Sequence, residues 1–168
     1  MRLSLFLAAF ALIFGASLAA STENVSATAR ASSRFTISTL KLASKHRPSS
    51  QMDADCVSKI SDDALVAEFQ ILLKANFTAE EVRQLDAFYS SSLLDMYMQD
   101  ALQKIQTQRF GVDQPAVELS HQEWTQIESL QSSVAGSKYS QIVSTSTPEW
   151  RQTVGSAVSK LLSTCKRQ

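Results

Sequence analysis

Two helix-start signals, 42 residues apart, constrain the fold of this 168-residue chain more than any other feature. Each is a capping box, in which an N-cap hydroxyl and a Glu three residues later satisfy each other's backbone amides. The first, TAEE, runs from Thr78 to Glu81, and the second, SHQE, runs from Ser120 to Glu123. An apolar residue, Phe77 or Leu119, precedes each box, as a hydrophobic staple requires. Both segments therefore predict amphipathic helices with defined first residues.

The likeness between these two segments extends beyond the boxes. Ser90-Ser91 and Ser132-Ser133 interrupt the apolar pattern at the same place in each, and Tyr97 aligns with Tyr139 in a Tyr-x-Gln motif. Two copies favour a duplicated helical hairpin, although unrelated capped hairpins share part of this pattern. The chain has only four glycines and three prolines, too few for a fold rich in β-turns. We predict an all-α fold: a single small domain of about six helices with duplicated helical hairpins.

Other helix ends are predicted from single capping residues. A short helix is expected from Met52 to Ile60. Ser61, followed by two acidic residues, is expected to cap a helix that ends near Asn76. Ser92 is expected to cap the next helix of the first copy. Thr147 followed by a proline is expected to open the last helix.

The N-terminus has the three parts of a cleavable export signal. Arg2 supplies the positive charge, Leu3 to Phe14 form an apolar run, and Ser17 and Ala19 place small residues at the cleavage site. The apolar run is shorter than the ~20 residues needed to cross a bilayer, and no later run is longer. We predict a signal peptide over residues 1–19 and a mature protein, without a transmembrane segment, that is periplasmic or secreted.

Composition divides the remaining chain near residue 50. Residues 20–50 are rich in Ser, Thr and Ala and carry five basic residues against one Glu. From residue 51 onward there are ten Lys or Arg residues against fifteen Asp or Glu residues. We interpret residues 20–50 as a basic leader, partly disordered, in which Phe35 to Leu42 form one short element, a helix rather than a strand. We favour a solvated linker over a tail that contacts an acidic surface or anionic lipid. Residues 51–168 are predicted to form the helical domain.

Two cysteines, Cys56 and Cys165, remain after the predicted signal peptide. An even count in an oxidising compartment favours one disulfide over two buried thiols. The bond would close a loop of about 110 residues and stabilise the fold by roughly 4–5 kcal/mol in the chain-entropy model.

One stretch of the first copy resembles a known family. The phrase FTAEE at residues 77–81, followed by AFYSS at residues 87–91, is similar to the signature of a secreted bacterial family catalogued as domain of unknown function number twenty fifty-nine. That signature reads roughly F-T-x-E-E, a helix, then F-Y-x-S-P-x-G, and residues 92–94 here lack its Pro and Gly. The resemblance covers about residues 60 to 145. It implies an exported, mostly helical bacterial protein, with no assigned activity and no catalytic residues to transfer.

Motifs for common chemistries are not found in the sequence. It lacks a P-loop, a G-x-G-x-x-G loop, an H-E-x-x-H motif and an EF-hand loop, so we predict no cofactor and no metal. The acidic domain offers no basic stripe for nucleic acid. The histidines are His46 and His121. A hydrolase using His121 with a nearby Ser or Glu123 is the weakest of three functional hypotheses, and we predict no catalytic residues.

An aromatic cluster carries the remaining two hypotheses. Phe88, Tyr89 and Tyr97, together with Tyr139 of the second copy, either pack in the core or line a groove for an apolar ligand or a partner. The first hypothesis is an exported, non-enzymatic module that binds an unknown protein or envelope component. The alternative is a carrier that holds a small apolar ligand between the two hairpins, near Tyr97 and Tyr139. The oligomeric state is not predicted.

Overall fold

The computed structural model describes residues 24–46, 53–143 and 147–166. Every regular element within these ranges is helical and none is a strand, which confirms the predicted all-α fold. The predicted signal peptide lies outside the described residues. The helices, in chain order, are α1 (Ala27–His46), α2 (Ala54–Ser58), α3 (Val66–Asn76), α4 (Ala79–Tyr89), α5 (Leu93–Phe110), α6 (His121–Ser132), α7 (Val134–Ile142), α8 (Pro148–Trp150), a π-helical turn (Arg151–Gly155) and α9 (Ser156–Ser163).

Helix α1 lies at the centre of the domain, where it packs against α2, α3, α4 and α5. Ala29, Ser33 and Ile37 on this helix are fully buried. The short helix expected over Phe35–Leu42 is present, but it is part of the longer helix α1. The interpretation of residues 20–50 as a partly disordered leader is wrong for the rest of residues 27–46, and the domain does not begin at residue 51. Residues 20–23 and 47–50 lie outside the described ranges.

Buried hydroxyls explain how a Ser- and Thr-rich helix can occupy the core. Ser33 Oγ donates to the Asp62 carbonyl at 2.6 Å and accepts from the Leu65 amide at 3.0 Å. Such bonds remove most of the penalty for burying a hydroxyl, while its small size lets neighbouring helices approach closely. A composition rich in Ser, Thr and Ala is typical of flexible segments, but in α1 these small side chains allow neighbouring helices to pack closely.

The first turn of α1 is capped from another helix. Asp86 Oδ1, on α4, accepts from Ser26 Oγ and Thr28 Oγ1 at 2.6 Å and from the Thr28 amide at 2.8 Å. A carboxylate at the positive end of a helix is favourable, and here it also fixes α1 against α4.

Both capping boxes are present as predicted. Thr78 and Glu81 exchange their reciprocal bonds at the start of α4, and Ser120 and Glu123 do so at the start of α6. Thr147 accepts from the Trp150 amide at 3.3 Å, with Pro148 as the first helical residue. Helix α3 ends at Asn76, as expected.

Two single-residue capping predictions are wrong. Ser61 precedes a turn over residues 62–65, and α3 begins only at Val66 without a side-chain cap. That segment is held by α1 instead, through Ser33 and the Lys41–Asp62 ion pair at 2.8 Å. Ser92 does precede α5, but its hydroxyl makes no capping bond.

The predicted disulfide is confirmed. Cys56 on α2 and Cys165, just after α9, are bonded, with their Cα atoms 5.4 Å apart. The Asp53 amide also donates to the Cys165 carbonyl at 2.8 Å, so α2 is joined to the C-terminal segment twice. Within the ranges that the structure describes, no helix is both long and apolar enough to cross a membrane.

Candidate functional site

A cavity of about 820 Å³ lies between the helices. Its walls come from α1, from Phe69 of α3, from both helices of each capped segment and from the C-terminal run of helix. Phe35 and Leu40 belong to the α1 wall, and Trp150 and Val158 belong to the C-terminal wall. Because α1 forms one side, the cavity depends on the helix that the sequence analysis assigned to a leader.

The four aromatic residues singled out in the sequence, Phe88, Tyr89, Tyr97 and Tyr139, all line this cavity. The Phe88 ring centroid lies 5.4 Å from that of Tyr89 and 5.9 Å from that of Tyr97, and Tyr89 lies 5.7 Å from Tyr139. All three pairs are edge-to-face, a favoured geometry for aromatic rings. The structure therefore brings the four residues together around one cavity, and binding of a ligand there stays a prediction.

The lining of the cavity carries no ionisable acid or base other than tyrosine. Among the described residues that line it, none is Asp, Glu, Lys, Arg or His. The polar groups are hydroxyls, such as those of Ser32 and Tyr139, and amides, such as that of Gln131. An environment of this kind suits an uncharged apolar occupant, because a charge buried there would have no partner of opposite sign.

A chain of hydroxyl groups leads from the cavity wall into α1. Ser32 Oγ donates to the Thr28 carbonyl at 2.5 Å and hydrogen-bonds to the Tyr139 hydroxyl. A side-chain hydrogen bond also joins Tyr139 to Tyr89, so the network extends from α1 through α7 to α4.

Burial keeps the two tyrosines deepest in this cluster neutral. It raises the pKa of Tyr139 to about 12, because burial outweighs the opposing effect of the bond with Ser32. Burial, followed by the proximity of Tyr139, also raises the pKa of Tyr89. Neither phenol ionises near neutral pH, so the lining contributes no negative charge.

Trp150 reaches the cavity where the C-terminal run changes from α-helix to a π turn. A Cβ atom on Gly155 would lie 2.9 Å from Cζ3 of the Trp150 ring, so only glycine leaves the ring in place. Turns of the π type often occur at functional sites. Trp150 was not among the predicted site residues, although the Trp–Gly spacing of five residues matches the π repeat.

The histidines lie apart from the cavity lining. His121 is the exposed first residue of α6, beside a Ser120–Glu123 pair whose side chains are bound to each other in the capping box. Hydrogen bonds from the Ser120 side chain and amide lower the pKa of Glu123, which suits a cap rather than a base. The His46 ring stacks on Phe110 at 5.0 Å. No group of three metal-binding side chains occurs in the described ranges.

Comparisons of the chain with protein-family models, curated proteins and solved structures find no match. The resemblance to the secreted bacterial family stays a prediction.

Proposed function

We propose that this protein is an exported carrier that holds a small apolar molecule in the cavity between its helices. The observation that carries the proposal is the cavity itself, about 820 Å³ and lined by apolar and uncharged polar side chains. Ligand sites have volumes of roughly 300–1,000 Å³ and are mostly apolar, with a few polar groups that orient the ligand. The export signal and the Cys56–Cys165 bond support a role outside the cytoplasm.

The distribution of the exposed apolar side chains favours a small molecule over a protein partner. Binding of a protein or envelope partner stays a prediction, and we assign no surface to it. The large apolar side chains exposed in the described ranges, Val25, Ile71 and Val134, lie on three separate segments.

Native mass spectrometry of the full-length gene product, purified from its export compartment, tests the proposal. We expect an adduct of small-molecule mass that survives gentle ionisation and is lost on denaturation. Ala101→Trp fills the cavity from α5 and should abolish the adduct. Ala87→Trp, at an exposed position of α4 away from the cavity, is the matched control and should retain it.

A second filling variant guards against misfolding of the first. Thr36→Trp fills the cavity from α1. Circular dichroism shows whether each variant folds, and both folded variants are expected to lose the adduct. Wild-type protein that carries no adduct and takes up no added apolar probe would contradict the carrier function. An adduct that persists in both filled variants would place the ligand elsewhere.

A further inference from the structure

Resting on the proposed carrier function, we propose that the Cys56–Cys165 disulfide is a latch that holds α9 against the cavity, and that reduction of this bond by a dithiol opens the α9 wall and releases the ligand. Three features support the proposal: the weak attachment of α9 along its length, the firm attachment of its two ends, and the exposure of the two cysteines.

Helix α9 forms part of the cavity wall but is weakly attached to the rest of the domain. Val158 lines the cavity, and no residue of α9 is fully buried. Within the described residues, every side-chain hydrogen bond from α9 goes to a backbone carbonyl of the same C-terminal run, at Arg151, Gly155 or Lys160. Its contact with the core is made by half-buried apolar side chains such as Leu161. Segments with few buried contacts are the first to open in a folded protein.

The two ends of α9, in contrast, are fixed. At its start the π turn packs against α3, and Val154 in that turn is fully buried. At its end Cys165 is bonded to Cys56 on α2, and the Cys165 carbonyl accepts from the Asp53 amide at 2.8 Å. Helix α2 in turn packs against α1, with Val57 buried. Without the disulfide, the far end of α9 would be held to the described part of α2 by one backbone hydrogen bond.

Movement of α9 would open the cavity on its C-terminal side. Val158 would leave the lining, whereas Trp150, which precedes the π turn, would stay. Hinges lie at the ends of elements, and the junction of the π turn with α9, at Gly155 and Ser156, is such a position. The walls formed by α1 and by the two capped segments precede this hinge in the chain.

The exposure of the two cysteines determines how the bond is reduced. Cys165 is 2% exposed and Cys56 is half-buried, so a thiolate of the dithiol attacks the sulfur of Cys56. The S–S bond breaks and its electron pair leaves on the sulfur of Cys165, which takes up a proton. The second thiol of the reductant, as the thiolate, then attacks its own sulfur in the mixed disulfide, and the released Cys56 thiolate takes up a proton. The dithiol is oxidised to a disulfide, and the protein gains two electrons and two protons.

The release rate of a fluorescent probe tests the latch. N-phenyl-1-naphthylamine is an uncharged dye that fluoresces strongly in apolar surroundings, and it is loaded into the oxidised, full-length exported protein. We expect dithiothreitol, a dithiol, to raise the rate at which the dye dissociates by roughly tenfold or more, which corresponds to a barrier lowered by about 1.4 kcal/mol. Reoxidation of the same sample should restore the slow release.

Two variants separate the latch from a general loss of stability. Cys56→Ser combined with Cys165→Ser removes the bond, so it should release the dye quickly and should not respond to dithiothreitol. Leu72→Ala removes buried packing on α3, outside the cavity lining, and keeps the bond. It should lower Tm but release the dye at the wild-type rate until dithiothreitol is added.

Amide hydrogen exchange locates the opening without any ligand. In the reduced protein, the amides of residues 158–163 in α9 should exchange at least tenfold faster than in the oxidised protein. They should also exchange at least tenfold faster than the amides of residues 70–76 in α3, which lie away from the hinge.

The outcomes distinguish the latch from the carrier function. A release rate or an α9 exchange rate that does not change on reduction would overturn the latch and leave the carrier function standing. Loss of the helical circular-dichroism signal on reduction would also overturn the latch, because the bond would then hold the whole fold instead of one wall. Failure of the dye to bind the oxidised protein would count against the carrier function, and exchange in α9 would still decide whether the bond holds that helix.

Discussion

The two capping boxes have the same local structure but different surroundings. Glu81 of the first box closes on Thr78 and also binds Lys138 of α7, whose ammonium lies 4.9 Å from the centre of the Phe77 ring. Glu123 of the second box bonds to Ser120, and its carboxylate makes no ion pair among the described residues. The same signal in the sequence therefore starts a helix in both places, but only the first box also fixes one helix against another.

The residues that precede the boxes differ in the same way. Phe77 belongs to the core and contacts Tyr139, with ring centroids 6.2 Å apart, whereas Leu119 is half-buried at the end of a loop. The capping box thus predicts where a helix begins, and long-range contacts decide how much that start contributes to the free energy of unfolding. The four predictions below test this difference, from the largest expected effect to the smallest.

The corner between α6 and α7 should tolerate no side chain at Gly136. A Cβ atom there would lie 1.9 Å from the carbonyl oxygen of Leu130, so α7 would have to move. We expect Gly136→Ala to lower the free energy of unfolding by about 3 kcal/mol or more, measured by urea denaturation. The first copy has Leu94 at the matching position, so its corner has no such close approach.

Gly111→Ala is the control for this prediction. Gly111 has a φ of 66° but open space around its Cα, so alanine there should cost only about 1 kcal/mol of backbone strain. Equal losses for Gly136→Ala and Gly111→Ala would contradict the close approach of α6 and α7.

Truncating the two pre-box residues should have unequal effects. We expect Phe77→Ala to lower the free energy of unfolding by about 3–4 kcal/mol, because it leaves a cavity beside Tyr139. Leu119→Ala should cost about 1 kcal/mol, because the side chain is only half-buried. Urea denaturation measures both losses, provided that the dependence of the unfolding free energy on urea concentration is the same in all variants. Similar losses would show that the two staples contribute equally to stability.

Acid pH should remove more of the stability contributed by the first capping box than of that contributed by the second. The Thr78 amide and then Lys138 lower the pKa of Glu81, and Ser120 alone lowers the pKa of Glu123. A carboxyl whose folded pKa is depressed contributes stability above its unfolded pKa, near 4.5, and loses it as the pH falls through the lower folded pKa. At pH 7 Glu81→Gln should therefore lower Tm more than Glu123→Gln does, and both differences from wild type should shrink at acid pH.

The partner variant Lys138→Met isolates the long-range part of this effect. In the Lys138→Met background, Glu81→Gln should lower Tm no more than Glu123→Gln does. A Glu81→Gln effect that is unchanged without Lys138 would show that the first box acts through its local bonds alone.

Removing the N-cap hydroxyls should give the smallest difference between the copies. Thr78→Ala and Ser120→Ala each remove an accepted bond, of 3.2 and 3.3 Å, from the amide three residues later. Each should lower the free energy of unfolding by about 1 kcal/mol, measured by urea denaturation. A large difference between the two would mean that the local caps themselves are not equivalent.

Features that depend on neighbouring residues were predictable from the sequence. The capping boxes and the Thr147-Pro148 start rest on bonds over three residues. The Cys56–Cys165 bond was predictable because the two cysteines of the chain allow only one pairing. The aromatic residues of the candidate site were recognisable because such side chains are suited to either a core or a cavity wall.

Features that depend on distant residues were not predictable. Helix α1 is capped by Asp86, 58 residues beyond Thr28, and its small hydroxyl side chains match the composition of flexible segments. Without α1 in the domain, the wall of the cavity formed by Phe35 and Leu40 could not be anticipated. The cap at Ser61 failed because Ser33 and Lys41 of α1 bind Asp62 in a turn. The cap at Ser92 failed because Ser92 has helical backbone angles instead of the extended ones of a capping residue.

The central claim, that the folded protein holds a neutral apolar molecule in this cavity, is tested most directly by a thermal unfolding series with increasing N-phenyl-1-naphthylamine. A ligand that binds only the folded state stabilises it by RT ln(1 + [L]/Kd), about 2.7 kcal/mol at a hundredfold excess over Kd. We predict that Tm of the wild type and of Ala87→Trp rises with the logarithm of probe concentration, while Tm of Ala101→Trp stays constant. A Tm of the wild type that does not respond, or an equal rise in the filled variant, would contradict the account.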